Sequence, residues 1–174
     1  MKPFVYLCAL LVVGSVTTGC GDDTLTSPSS ASSVRLTAAL LPSNEVPPVS
    51  GSEASGSGTA ALTFNLTKDS GGNISAVSLD VTVSATGFPP GTALTQSHIH
   101  GAAAGVNGGI LVSFGLSAGE VTFPNGSGSF TKRGVTMTID QANSIMANPG
   151  AFYVNIHTAD NPGGVARGQL TAAQ

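Results

Sequence analysis

The sequence predicts an all-β, antiparallel sandwich or barrel with one short helix, and three observations lead there. Charged residues make up only 9% of the 174 residues, Gly numbers 23 and Trp is absent. With abundant Ser and Thr, that composition suits short strands joined by tight turns. Seven to nine short runs of alternating apolar residues recur between Gly, Pro and Asn signals, the spacing of a sandwich or barrel. Nowhere does strand alternate with helix in the manner of a parallel sheet. The length suffices for one domain with a core of its own.

Met1 to Gly19 carries an early positive charge at Lys2, then the apolar run Phe4 to Val13, then small residues before Cys20. This order is that of a secretory signal peptide. The run is shorter than the roughly 18 apolar residues that cross a bilayer. Val16-Thr17-Thr18-Gly19 before Cys20 resembles a bacterial lipobox, with Thr17 where Leu is usual. Cys8 would leave with the signal, so Cys20 would be the one thiol of an exported chain, and no intramolecular disulfide could form. Lipidation of Cys20 gives that thiol a purpose and anchors the domain to a membrane. An ordinary signal peptide cleaved elsewhere is the alternative. Residues 20–33 are Ser, Thr and Asp with almost nothing apolar, which reads as a flexible tether, and the domain proper is expected over residues 34–174.

Val34 to Leu41 predicts a first strand, stopped by Pro42, and Pro47-Pro48 make Asn44 to Val49 a loop. Thr59 to Thr67 alternates as a half-buried strand, and Ser70-Gly71-Gly72-Asn73 is a hairpin turn. Val77, Leu79, Val81, Val83 and Ala85 share one face of the next strand, with Ser78, Asp80, Thr82 and Ser84 on the other. Ile110 to Phe114 is a short strand, Thr122 to Gly128 a turn-rich connection, and Ser129 to Lys132 and Val135 to Thr138 are extended runs around Arg133-Gly134. Asp140 to Ala147 is the helix, with Asp140 as its cap and Asn148-Pro149-Gly150 as its stop. Phe152 to Thr158 and Val165 to Thr171 form a closing hairpin.

A net charge of −3 with six Lys plus Arg excludes the clustered basic surface that nucleic acid requires. Chemistry-bearing side chains concentrate in two stretches, Gln96 to Gly109 and Tyr153 to Gln169. On a strand, His98 and His100 point to one face, with Ile99 into the core, and Tyr153, Asn155 and His157 share a face in the same way. If the two strands are neighbours, the three histidines converge as neutral imidazoles suited to copper or zinc, with Asp160 nearby. The alternative is structural: paired strand histidines that bond to backbone or carboxylate groups. Arg167 calls for a buried ion-pair or carbonyl partner, with Asp160 or Glu45 as candidates, and Glu45 would thereby tie its proline loop to the body. No serine nucleophile elbow, phosphate-binding glycine loop or cysteine redox pair is present.

Four blocks together, Asn44-Glu45-Val46-Pro47-Pro48, His98-Ile99-His100-Gly101 with Gly105 and Asn107-Gly108, Tyr153 to Thr158, and Asn161-Pro162-Gly163-Gly164 with Arg167-Gly168-Gln169-Leu170, resemble the CHRD domain, a module named after chordin and widespread in bacterial secreted proteins. The resemblance covers about Val34 to Leu170. It implies an immunoglobulin-like β-sandwich with a remote likeness to copper-zinc superoxide dismutases, whose copper site also holds a His-x-His strand. It implies no settled activity. Dismutase chemistry would need further histidines, and this chain has three.

Three functions therefore stand as expectations. The first is a lipid-anchored envelope module that binds a partner or has a structural role, without catalysis and without a cofactor. The second is a module holding one copper or zinc ion at His98, His100 and His157 for storage or sensing. The third, behind the other two, is a metal-dependent redox or hydrolytic enzyme.

Overall fold

The computed structural model describes residues 29–173. The expected signal peptide, Cys20 and most of the expected tether lie outside them. The strands are β1 (Ser30–Leu40), β2 (Ser57–Lys68), β3 (Ile74–Thr86), β4 (Thr92–Gly101), β5 (Ile110–Ser113), β6 (Thr122–Phe123), β7 (Gly128–Val135), β8 (Phe152–Thr158), β9 (Ala166–Gln169) and β10 (Thr171–Ala172), with one α-helix, α1 (Ile139–Ala147). They build two antiparallel sheets, ordered β10-β1-β2-β3-β7 and β5-β4-β8-β9, with β6 paired to the first half of β4. The architecture is the all-β sandwich that the alternating runs predict.

The first sheet follows its sequence pattern closely. Leu36, Ala38 and Leu40 of β1, Leu62 and Phe64 of β2, and Leu79, Val81 and Val83 of β3 point inward and are buried, while the Ser, Thr and Asp between them face water, as one-sided antiparallel sheets do. β1 begins at Ser30 rather than Val34, because Ser30 to Ser33 pair with Asn65 to Lys68 even though their side chains are exposed. A ladder needs only backbone donors and acceptors, so polar residues extend it where a long partner strand is on offer. The two runs expected around Arg133-Gly134 are one strand, β7. A register shift opposite Leu79 to Val81 absorbs the irregularity, and Asp80 Oδ1 accepts the Gly134 N–H at 2.9 Å. Val135 ends that strand, and Thr138 belongs to the helix start.

The helix is capped by Thr138, and not by Asp140. Thr138 Oγ1 accepts from Gln141 N at 3.1 Å while Gln141 Oε1 accepts from Thr138 N at 2.8 Å, a reciprocal capping box. Asp140 stands in the first turn, where a carboxylate favours the helix dipole. Ala142 and Ile145 plug the helix into the core.

The second sheet departs from the one-sided pattern. Ser97, His98, Ile99 and His100 of β4 are all buried, as is every residue of β8 from Tyr153 to Thr158. Ile99, Val154 and Ile156 line the core, so the opposite face, which carries the histidines, must be covered too. Three loops cover it: the proline loop around Glu45, the glycine loop around Asn107, and the turn around Pro162. The expected closing hairpin exists as β8 and β9. At Leu170, however, the chain leaves that sheet, and β10 joins β1 in the other. Leu41 and Arg167 bridge the same seam through their backbones, at 3.0 and 3.3 Å. One side of the sandwich is thereby stitched shut. Across the open side, Lys132 Nζ donates to Glu120 Oε1 at 2.6 Å and to the Gly115 carbonyl at 3.1 Å. No helix among the described residues is long and apolar enough to cross a membrane.

The seam makes a specific demand at Gly168, where any β-carbon would collide with the Ala39 carbonyl oxygen. Backbone cannot yield as a side chain can, so Gly168→Ala is expected to cost about 2–3 kcal/mol. Urea unfolding should show a lowered midpoint at unchanged slope. An unchanged midpoint would mean that the two sheets can separate here at little cost.

Candidate metal centre

β4 and β8 are neighbours, with His98 opposite Asn155 and Gln96 opposite His157. This pairing brings the three histidines together. Their donor nitrogens lie within 4.8 Å of one another, and the side chains are buried. His98 Nδ1 is 3.2 Å from His157 Nε2. The rings of His98 and His157 meet edge to face at 5.0 Å, and those of His98 and His100 at 5.5 Å. Two nitrogens held at about 2.1 Å by one ion lie at most about 4.2 Å apart. The cluster is therefore slightly more open than a closed coordination sphere.

Proton positions follow from the partners. His100 Nδ1 lies 3.0 Å from the Gly108 carbonyl and His157 Nδ1 lies 3.0 Å from the Pro162 carbonyl. Carbonyls can only accept, so both Nδ1 atoms carry the hydrogen and, in a neutral ring, both Nε2 atoms carry a lone pair. Among the described residues His100 Nε2 has no hydrogen-bond partner, although it is buried. His157 Nε2 faces Asn155 Oδ1 at 2.9 Å, an acceptor against an acceptor. Turning the Asn155 amide over would relieve that contact only by setting Oδ1 against the Glu45 carboxylate, which the amide nitrogen now approaches.

Burial pushes the His98 imidazole down to about 4, helped by the nearby His157 and His100 rings. Burial also lowers His157, against the opposing pull of its bond to the Pro162 carbonyl. The folded protein therefore holds these two rings neutral, the state that ligates metal.

Beside the cluster stands a second buried polar group. Arg167 Nε donates to Glu45 Oε2 at 2.8 Å, and both side chains are 4% exposed. Its other nitrogens reach the Val106 carbonyl at 3.1 Å and Asn107 Oδ1 at 2.6 Å. The guanidinium lies over the Tyr153 ring at 4.7 Å, and that ring stacks on His100 at 4.8 Å, with 3° between the planes. Burial raises the Glu45 carboxyl, and the Arg167 charge counters it. Among the described residues Glu45 Oε1 makes no well-formed hydrogen bond, although the Asn155 amide approaches the carboxylate closely enough to lower its pKa a little. Gly164, at φ 135, passes so close that a β-carbon there would strike this oxygen.

The expected site residues divide as follows. His98, His100 and His157 converge, Glu45 is the partner of Arg167, and Asn155 stands between the two groups. Asp160 is exposed, joins neither the cluster nor an ion pair, and is corrected on both counts. Tyr153 has a role that sequence reasoning left open, although its spacing from Asn155 and His157 already placed it on the same face. Glu53 was missed. It is 5% exposed and accepts from Thr158 Oγ1 at 2.8 Å and from Asn161 Nδ2 at 2.5 Å. Nothing in its Gly/Ser-rich surroundings marks a buried carboxylate.

A family model described as the CHRD domain matches residues 36–170, most of the chain. No curated protein and no solved structure matches it.

Two predictions follow from this geometry. The histidine shifts are downward, so the stability they contribute is full above the ordinary value of 6.5. As pH falls, unfolded histidines protonate while His98 in the fold resists until about 4, and stability is lost across that window. At about 1.4 kcal/mol per unit, His98 contributes on the order of 3 kcal/mol. Urea titrations between pH 7.5 and 4 should show this loss, and His98→Gln should flatten it; a flat wild-type profile would contradict a buried, neutral His98. Separately, Arg167→Gln leaves Glu45 as an unpaired buried carboxylate and should cost about 3–5 kcal/mol in unfolding free energy. A loss below about 1 kcal/mol, the scale of surface pairs, would place the pair in solvent.

Proposed function

The chain belongs to the CHRD domain family, and from that premise we propose that its domain is a binding module for one copper or zinc ion, held by His98, His100 and His157 in a lipid-anchored protein of the cell envelope. One observation carries the reading. His100 and His157 each commit Nδ1 to a backbone carbonyl, and His100 Nε2 is left as a buried lone pair with no partner among the described residues. A ligating histidine characteristically donates its other ring N–H to a carbonyl or carboxylate, which fixes the tautomer and aims the free nitrogen at the metal. A cation among the three rings would satisfy that orphan and would relieve the clash of lone pairs between Asn155 Oδ1 and His157 Nε2.

The three side chains are 4, 7 and 5% exposed. Catalytic metal sites keep a position open for water or substrate. Burial of this depth fits holding an ion for storage or sensing better than turnover, so we assign no catalytic residues. When bound, the ion would supply Lewis acidity or a redox couple. The protein's own part is to orient three rings, exclude water and keep His98 neutral.

A second reading, a structural or partner-binding module, draws on the same bonds taken differently: the histidines already tie β4 and β8 to the loops at Gly108 and Pro162. Membrane attachment rests on the apolar segment before Cys20 and on Cys20 being the one thiol left once a signal peptide that carries Cys8 is removed.

The deciding experiment is elemental analysis of the full chain, purified in detergent without a metal-binding tag and offered copper and zinc at one equivalent each. One ion per chain is expected, lost in a His98→Gln, His157→Gln double variant that keeps its circular dichroism. Free ion at 100 times Kd should also raise unfolding stability by about 2.7 kcal/mol. No retained ion would leave the histidines as architecture. Incorporation of labelled fatty acid, abolished by Cys20→Ser, tests the anchor, and a wild-type chain that takes up no label would remove it.

A further inference from the structure

Resting on that metal-binding reading, we infer that the histidine cluster selects monovalent copper over zinc and over divalent copper. The argument is electrostatic. The donor set is three imidazoles with no carboxylate among them, so a bound ion keeps its full charge inside the protein. The cost of burying an ion rises with the square of its charge, so a dication pays about four times the penalty of a monocation at the same site.

Among the described residues, no carboxylate of the surroundings joins the donor set. Glu45, the carboxylate behind Asn155, is already claimed by Arg167 at 2.8 Å, both side chains being 4% exposed. That guanidinium is itself a buried positive charge, one aromatic ring away from His100 across Tyr153. Asp160 is exposed and outside the donor set, and Glu53, held by Thr158 and Asn161, is outside it as well. The oxygens that do meet the rings are neutral: the Gly108 and Pro162 carbonyls and the amide of Asn155, 2.9 Å from His157 Nε2. Neutral nitrogen donors and deep burial both favour the ion of lower charge, and the Glu45–Arg167 pair, neutral as a unit, does not offset that preference. Imidazole suits copper and zinc alike, so ligand type does not decide between them and charge does.

The test is a competition on the full chain, metal-free and under anaerobic conditions. Cu(I), Zn(II) and, in a separate aerobic series, Cu(II) are each titrated against chromophoric chelators of known affinity. Cu(I) is expected to bind at one equivalent with a Kd at least about tenfold below those for Zn(II) and Cu(II), which is about 1.4 kcal/mol. Asn155→Asp adds a carboxylate beside His157 and should shift the Zn(II) to Cu(I) affinity ratio about tenfold or more towards zinc. Zinc or divalent copper binding as tightly as Cu(I) to the wild-type chain would overturn the selectivity and leave the metal-binding reading in place. So would a folded Asn155→Asp variant with an unchanged ratio. Failure of all three ions to bind would overturn both.

Discussion

The Arg167 side chain is the contact on which the covered face of the second sheet depends. A guanidinium cannot lose its charge, so burying it obliges the fold to bring partners to it. Glu45 comes from the proline loop, Asn107 and the Val106 carbonyl come from the glycine loop, and Tyr153 supplies a ring from the neighbouring strand. Through its backbone, the same residue bridges to Leu41 and closes one seam of the sandwich. Loops that would otherwise pass over solvent are held down on the polar face. The histidines are buried because that cover exists.

Covering a polar face changes the accounting for every group beneath it. In water, His100 Nε2 and Glu45 Oε1 would each find a solvent partner, whereas among the described residues neither makes a well-formed hydrogen bond. Buried orphan acceptors are uncommon because each forfeits hydration. Two of them beneath one layer of loops are the kind of local conflict that a fold selected for stability alone would avoid. The carbonyls of Gly108 and Pro162 show how this is arranged: each takes a ring hydrogen and leaves the opposite nitrogen bare.

Much of the scaffold was legible in the sequence. Val77 to Ala85 alternates without a break and is the inner strand it promises to be, and Ser70 to Asn73 turns where Gly and Asn require. The His-x-His spacing placed both rings on one face, and the four motif blocks pointed to the family that the match over residues 36–170 establishes. The errors lie where a boundary depends on a partner strand or on the choice between neighbouring caps. Ser30 to Ser33 extend β1 only because β2 is long enough to pair with them, and Thr138 outcompetes Asp140 because its hydroxyl stands one full turn ahead of Gln141.

What the sequence by itself determined is the period-two pattern: which residues share a face, where the chain turns, and that His98 pairs with His100 on one strand face as Tyr153 and Asn155 do with His157 on another. Alternation is a property of consecutive residues and needs no knowledge of what lies elsewhere. Only the tertiary structure decided that this polar side is buried, that Arg167 takes Glu45 across 122 residues while Asp160 stays in solvent, and that Glu53 goes inside. Those outcomes depend on how three loops, remote in sequence, fold back over one sheet. A carboxylate's partner is set by that geometry and not by its immediate neighbours in the chain.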